Sequence, residues 1–93
     1  ESQIGMIALL AYQFRMILQV KLLAEKNFPL QRIQAEVKAH PFVVKKAYER
    51  SRHYHVKTLE NMINQLANTD YYIKRGYMEK EIAFELLLYE LIK

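Results

Sequence analysis

Few side chains in this sequence are of types that do chemistry. They are His40, His53 and His55, the lone aspartate Asp70, and a group of bases around Lys45, Lys46, Arg50 and Arg52. Three histidines raise the question of a metal. His40 stands beside Pro41, which suits the first position of a helix, so His40 falls where a helix cap belongs. His53 and His55 bracket a helix end with no carboxylate nearby in sequence, and the chain has no cysteine. A zinc site needs three or four well-placed donors. These residues do not offer that set, and no metal or other cofactor is expected.

Asp70 is of more interest. The stripe Leu59, Ile63, Leu66, Asp70 and Ile73 puts its carboxylate on the apolar face of a helix. A carboxylate there must be paired or hydrogen-bonded. Lys74 lies one turn on, and Arg15 is the lone base in the middle of an otherwise apolar first helix. The expectation is a structural ion pair among Asp70, Arg15 and Lys74 that fixes helix register. For Asp70 to act as a general base it would need a nucleophile, a second acid or a cofactor loop nearby. The sequence has no glycine-rich phosphate loop, no nucleophile elbow and no metal-binding helix motif. Catalysis is not expected.

Charge is unevenly spread. From Lys38 to Lys57 there are six bases against the single acid Glu49, a local +5 where the whole chain carries +4. From Glu79 to Lys93 there are four acids against two bases. A short helix, a tight turn and a basic second helix have the outline of a helix-turn-helix. In that reading Lys45, Lys46, Arg50 and Arg52 would touch phosphates. The turn lacks the usual glycine, however, and the basic helix has no Asn or Gln to read base edges. A solvated or protein-facing basic surface is the stronger reading, and backbone-only, salt-sensitive DNA contact is the alternative.

The elements that must position these residues are helical. Apolar residues make up 52% of the 93, with only two glycines and two prolines. An all-β domain of this size would need many more turn residues. One all-α domain over residues 1–93, a compact bundle of about five helices, is expected. The first helix runs from Gln3 to Lys26, apolar around most of its circumference, with Arg15, Gln19 and Lys26 able to share a narrow polar face. Asn27 and Pro29 end it. A short helix over Leu30 to Lys38 follows, carrying Leu30, Ile33 and Val37 on one face. A third from Pro41 to Tyr54 turns Val44, Ala47, Tyr48 and Ser51 inward. The fourth, Val56 to Arg75, has a stripe of Leu59, Met62, Ile63, Leu66, Ala67 and Ile73, and Gly76 closes it. The fifth, Glu79 to Ile92, is apolar at Ile82, Phe84, Leu86, Leu87, Leu88, Leu91 and Ile92, with a polar side marked by Glu81, Glu85 and Lys93. The first and last helices carry more apolar surface than one small core can bury.

The longest unbroken apolar run, Met6 to Tyr12, falls well short of the ~18 residues of a spanning helix. No membrane association is expected, and the absence of cysteine agrees with a reducing cytoplasm. Glu1 stands where an initiator Met would, directly before a strong helix, which points to a piece of a longer protein.

Four blocks carry a resemblance. They are Ala8-Leu9-Leu10-Ala11-Tyr12-Gln13-Phe14-Arg15; His40-Pro41-Phe42-Val43-Val44-Lys45-Lys46-Ala47; Asp70 with Lys74-Arg75-Gly76; and Phe84-Glu85-Leu86-Leu87. Their order and spacing resemble the C-terminal domain of the bacterial DNA polymerase III delta subunit over nearly the whole chain. The His-Pro-Phe block followed by Lys-Lys is the most specific. Asn27-Phe28-Pro29 departs from the pattern, since relatives often have a glycine turn there. The resemblance implies a helical collar domain that holds delta in the pentameric clamp loader, which places the sliding clamp on primed DNA during replication. It implies delta prime and tau/gamma as partners through their collar domains. Contact with the sliding clamp belongs to an N-terminal domain outside this chain. It also implies a bacterial, cytoplasmic protein and a subunit that does not hydrolyse ATP.

Overall fold

The computed structural model describes residues 2–92, and their side chains over residues 5–90. Five helices follow one another: α1 (Ser2–Glu25), α2 (Leu30–Glu36), α3 (Pro41–Ser51), α4 (Val56–Lys74) and α5 (Lys80–Ile92). No strand occurs among the described residues.

Local chemistry sets the boundaries. Asn27 takes the left-handed conformation (φ 67°) after α1. The Phe28 N–H then donates to the Leu23 carbonyl at 3.3 Å and the Asn27 N–H to that of Ala24 at 2.9 Å. This is a Schellman closure built on asparagine in place of glycine. Gly76 (φ 73°) closes α4 the same way, with Tyr77 N–H on the Tyr72 carbonyl and Gly76 N–H on that of Ile73. Two helices stop short of their expected ends. Pro41 disfavours helical geometry in the residue before it, and α2 has already left it at Val37 (ψ 128°). The α3 helix ends at Ser51, whose hydroxyl turns back onto the Tyr48 carbonyl at 2.7 Å.

α1 is the axis of the molecule and packs against all four other helices. Along it lie two apolar clusters. Met16, Ile17 and Val20 meet Ile33, Val37, Val44, Ala47 and Leu59 in one. Ile7 meets Leu66 and Leu87 in the other. Phe14 packs against both. Dimensions of 43 × 24 × 17 Å leave depth for two helix layers. Parts of α1 and α5 therefore face outward with no third layer over them.

By length and composition alone, Gly5–Glu25 could cross a membrane, although its longest unbroken apolar run is short. Only its inner side is covered, by the bundle at Ile7, Met16, Ile17 and Val20. Two further expectations need correcting. In α4, Ala67 is exposed, because the buried ridge there runs through Leu59 and Leu66. In α5, Ala83 and Leu87 are the buried pair, one turn apart, whereas Ile82, Leu86 and Leu88 are exposed. The side chains of Leu91 and Ile92, and Lys93 itself, lie outside the described residues.

Candidate interaction surfaces

The His-Pro-Phe block starts α3. The His40 Nδ1 accepts the Phe42 N–H at 3.0 Å, and the His40 carbonyl accepts the Val44 N–H. Pro41 occupies the first turn, where its missing donor is harmless. Along the helix that follows, Val44 and Ala47 enter the core, and Phe42 and Val43 stay outside, 59% and 41% exposed. Across from them Leu9 and Tyr12 stand out from α1, and a groove of about 390 Å³ runs between the two helices. Met16, Ile17 and Ala47 form its floor, with Gln13, Lys46 and Arg50 at its edges. Lys46 places its ammonium over the Phe42 ring, 5.5 Å from the centroid.

The four bases named from the sequence are all exposed. They do not form one patch. By helix periodicity Lys46 and Arg50 fall on the α1 side of α3, while Lys45 and Arg52 fall on the other edge with Glu49 between the pairs. Arg52 lies 5.4 Å from the centre of the Tyr48 ring.

Asp70 pairs with Lys74 one turn on, Oδ2 to Nζ at 3.0 Å, with the two side chains 31% and 60% exposed. Arg15 lines the same shallow cavity together with Ile7, Leu66 and Ala67, yet no ion pair joins it to Asp70 among the described residues. Of the ion pair expected among Asp70, Arg15 and Lys74, the structure thus has the Asp70–Lys74 contact, half-exposed at the rim of the α1–α4 seam. His53 and His55 are exposed, and His55 precedes α4 without a side-chain cap. No group of three or more potential ligands for a metal ion occurs among the described residues.

Two features escaped the sequence reading. Lys21 reaches from α1 to the Ser51 carbonyl at 3.0 Å. The signal was available, because Lys21 shares a face with Ile17, Val20 and Ala24 and so needed a partner. Tyr71, Tyr72 and Tyr77 form a ring cluster at the α4–α5 turn, with centroids 6.0 to 6.2 Å apart. Arg75 lies over two of these rings. Adjacent tyrosines at the end of a helix give no periodic signal, so only the turn at Gly76 brings the third ring to them. A second apolar face continues from there onto α5 through Tyr72, Leu86 and Met78.

Comparison with known proteins agrees with this architecture. Residues 1–91 match the family model described as DNA polymerase III delta subunit, C-terminal domain. A Bacillus subtilis (strain 168) protein, DNA polymerase III subunit delta, is 40% identical over 93 residues, all of this chain and 27% of that protein. The structure of the Bacillus subtilis DNA clamp loader delta protein superposes with a TM-score of 0.91 at 40% identity, covering 98% of this chain and 27% of that one. The chain therefore spans about a quarter of the length of the relatives it matches.

Proposed function

The chain belongs to the family of C-terminal domains of the DNA polymerase III delta subunit, and we propose that it is the collar domain that holds this subunit in a bacterial clamp loader. The observation that carries this reading is the surplus of large apolar side chains left outside the bundle on two separate faces. Leu9, Tyr12 and Phe42 mark the α1–α3 face, and Ile82, Leu86 and Tyr89 mark α5. Apolar patches of this kind mark surfaces that are covered in an assembly. A ring subunit needs two of them, one for each neighbour. The partners in this reading are the collar domains of delta prime and tau/gamma, in the pentamer that loads the sliding clamp onto primed DNA. The domain itself is non-catalytic, works in the cytoplasm, and contacts the sliding clamp only through parts of delta outside this chain.

The test is reconstitution. The complete polypeptide carrying these residues, mixed at micromolar concentration with the other clamp-loader subunits of its organism, is expected to elute as one larger complex in size-exclusion chromatography with light scattering. Elution as separate components would overturn the reading. A DNA-binding role for the basic helix has less support, because its four bases divide between two edges of α3. Binding of primed DNA that weakens steeply with salt, and is lost on reversing Lys45 and Arg52, would revive it.

A further inference from the structure

The α1–α3 groove has a charge as well as a shape. None of the residues lining it is acidic, and Lys46 and Arg50 stand along its α3 edge. Its apolar part follows α1 from Leu9 to Ile17, which is ~12 Å or about two helical turns at ~1.5 Å per residue. A stretch of that length accepts an amphipathic helix through anchors at i, i+3 or i+4, and i+7. The exposed anchors on this side, Tyr12 and Phe42 with Leu9, are the large rings that dominate interface energetics.

The opposite end of the chain has the complementary chemistry. On α5, Glu81 and Glu85 alternate with exposed Ile82, Leu86 and Leu88, so that helix is both apolar and acidic. A domain of this build thus receives on a basic apolar groove and offers an acidic apolar helix. In a ring, each interface joins two different surfaces, and this charge difference gives the contact a direction.

We infer that the α1–α3 groove docks an acidic amphipathic helix from a neighbouring subunit of the assembly, with Lys46 and Arg50 reading its flanking carboxylates and Phe42 its central apolar anchor. The inference rests on the collar reading and adds to it which face is used and what chemistry the neighbour presents.

Three variants of the complete polypeptide test it in the reconstituted mixture: Phe42→Ala, the double reversal Lys46→Glu with Arg50→Glu, and a control reversal, Lys45→Glu with Arg52→Glu. All these side chains are exposed, and unchanged thermal melts by circular dichroism confirm that each variant is folded. Phe42→Ala and the groove reversal are each expected to weaken assembly at least ~10-fold, while the control changes it less than ~3-fold, because buried-edge charges matter far more than rim charges. Assembly of both groove variants at the native affinity would overturn the groove assignment and leave the collar reading standing. Equal loss in groove and control reversals would replace the groove by a diffuse charge effect. Failure of the unmodified protein to assemble would overturn both readings. Light scattering of the unmodified chain alone supplies the last arm: a self-associated species abolished by the groove reversal would make the occupant a second copy and overturn the assignment to a different neighbour.

Discussion

The ammonium of Lys21, in α1, donates to the backbone carbonyl of Ser51, the last residue of α3, across 30 positions of sequence at 3.0 Å. Helix C-terminal carbonyls lack intrahelical donors and carry the negative end of the helix dipole, so a cation there is doubly favoured. The Ser51 side chain is itself buried and donates to the Tyr48 carbonyl. The pair therefore ties the end of α3 to α1. Lys21→Met keeps the apolar stem and removes the donor. It is expected to cost about 1–2 kcal/mol in urea denaturation, the range for a charge-assisted bond that is partly buried.

The two left-handed caps predict opposite responses to substitution. Asn27 and Gly76 have nearly the same φ, 67° and 73°. Glycine adopts that conformation without steric cost, whereas a β-carbon is strained there. Asn27→Gly is expected to be neutral or to stabilise by a few tenths of a kcal/mol, and Gly76→Ala to destabilise by about 1 kcal/mol. No atom lies within 4 Å of a β-carbon added at Gly76, so the penalty there is conformational and not a clash. Equal melting-temperature shifts for the two variants would contradict this.

Helix number, order and punctuation were legible because each break is written in local chemistry: Asn27-Phe28-Pro29, His40-Pro41, and Gly76. The inward faces of α3 and most of α4 were legible for the same reason, since 3.6-residue periodicity places Val44, Ala47, Leu59 and Leu66 together. Periodicity could not say which side of α1 and α5 is covered. Both are apolar nearly all round, and the choice of Ile7 over Leu9, or Leu87 over Leu86, depends on where other helices lie. The groove was illegible for a related reason. It arises between residues 25 to 41 positions apart, on two helices whose mutual placement no local pattern encodes.

Asp70 shows the limit of a stripe argument. Its pairing with Lys74 agrees with the spacing, but the pair is a half-exposed i, i+4 contact and Arg15 takes no part in it. Such pairs contribute about 0.3–0.5 kcal/mol, reduced further by salt. Asp70→Asn is therefore expected to change stability by less than about 0.5 kcal/mol at low ionic strength, and by less still in half-molar salt. A loss of several kcal/mol would mean that Asp70 is buried against Arg15 in solution.

Leu66 is a position at which loss of volume should be costly. It is fully buried and is the α4 member of the cluster it forms with Ile7 of α1 and Leu87 of α5. Among the described residues, these three buried side chains join α5 to the axis. The neighbouring half-buried groups, Leu10, Phe14 and Phe84, already pack against the cluster, so they can close only part of a cavity left at Leu66. Leu66→Ala is expected to cost about 3 kcal/mol, within the range for leucine truncations in rigid cores. The loss should also be uneven. Amide protection should fall most in α5, which depends on this cluster, and least in α2 and α3, which are held by Val20, Ile33 and Val44 in the other one. Hydrogen exchange of the variant read by mass spectrometry distinguishes the outcomes. A uniform loss of protection across all five helices would mean that the two clusters act as one cooperative core.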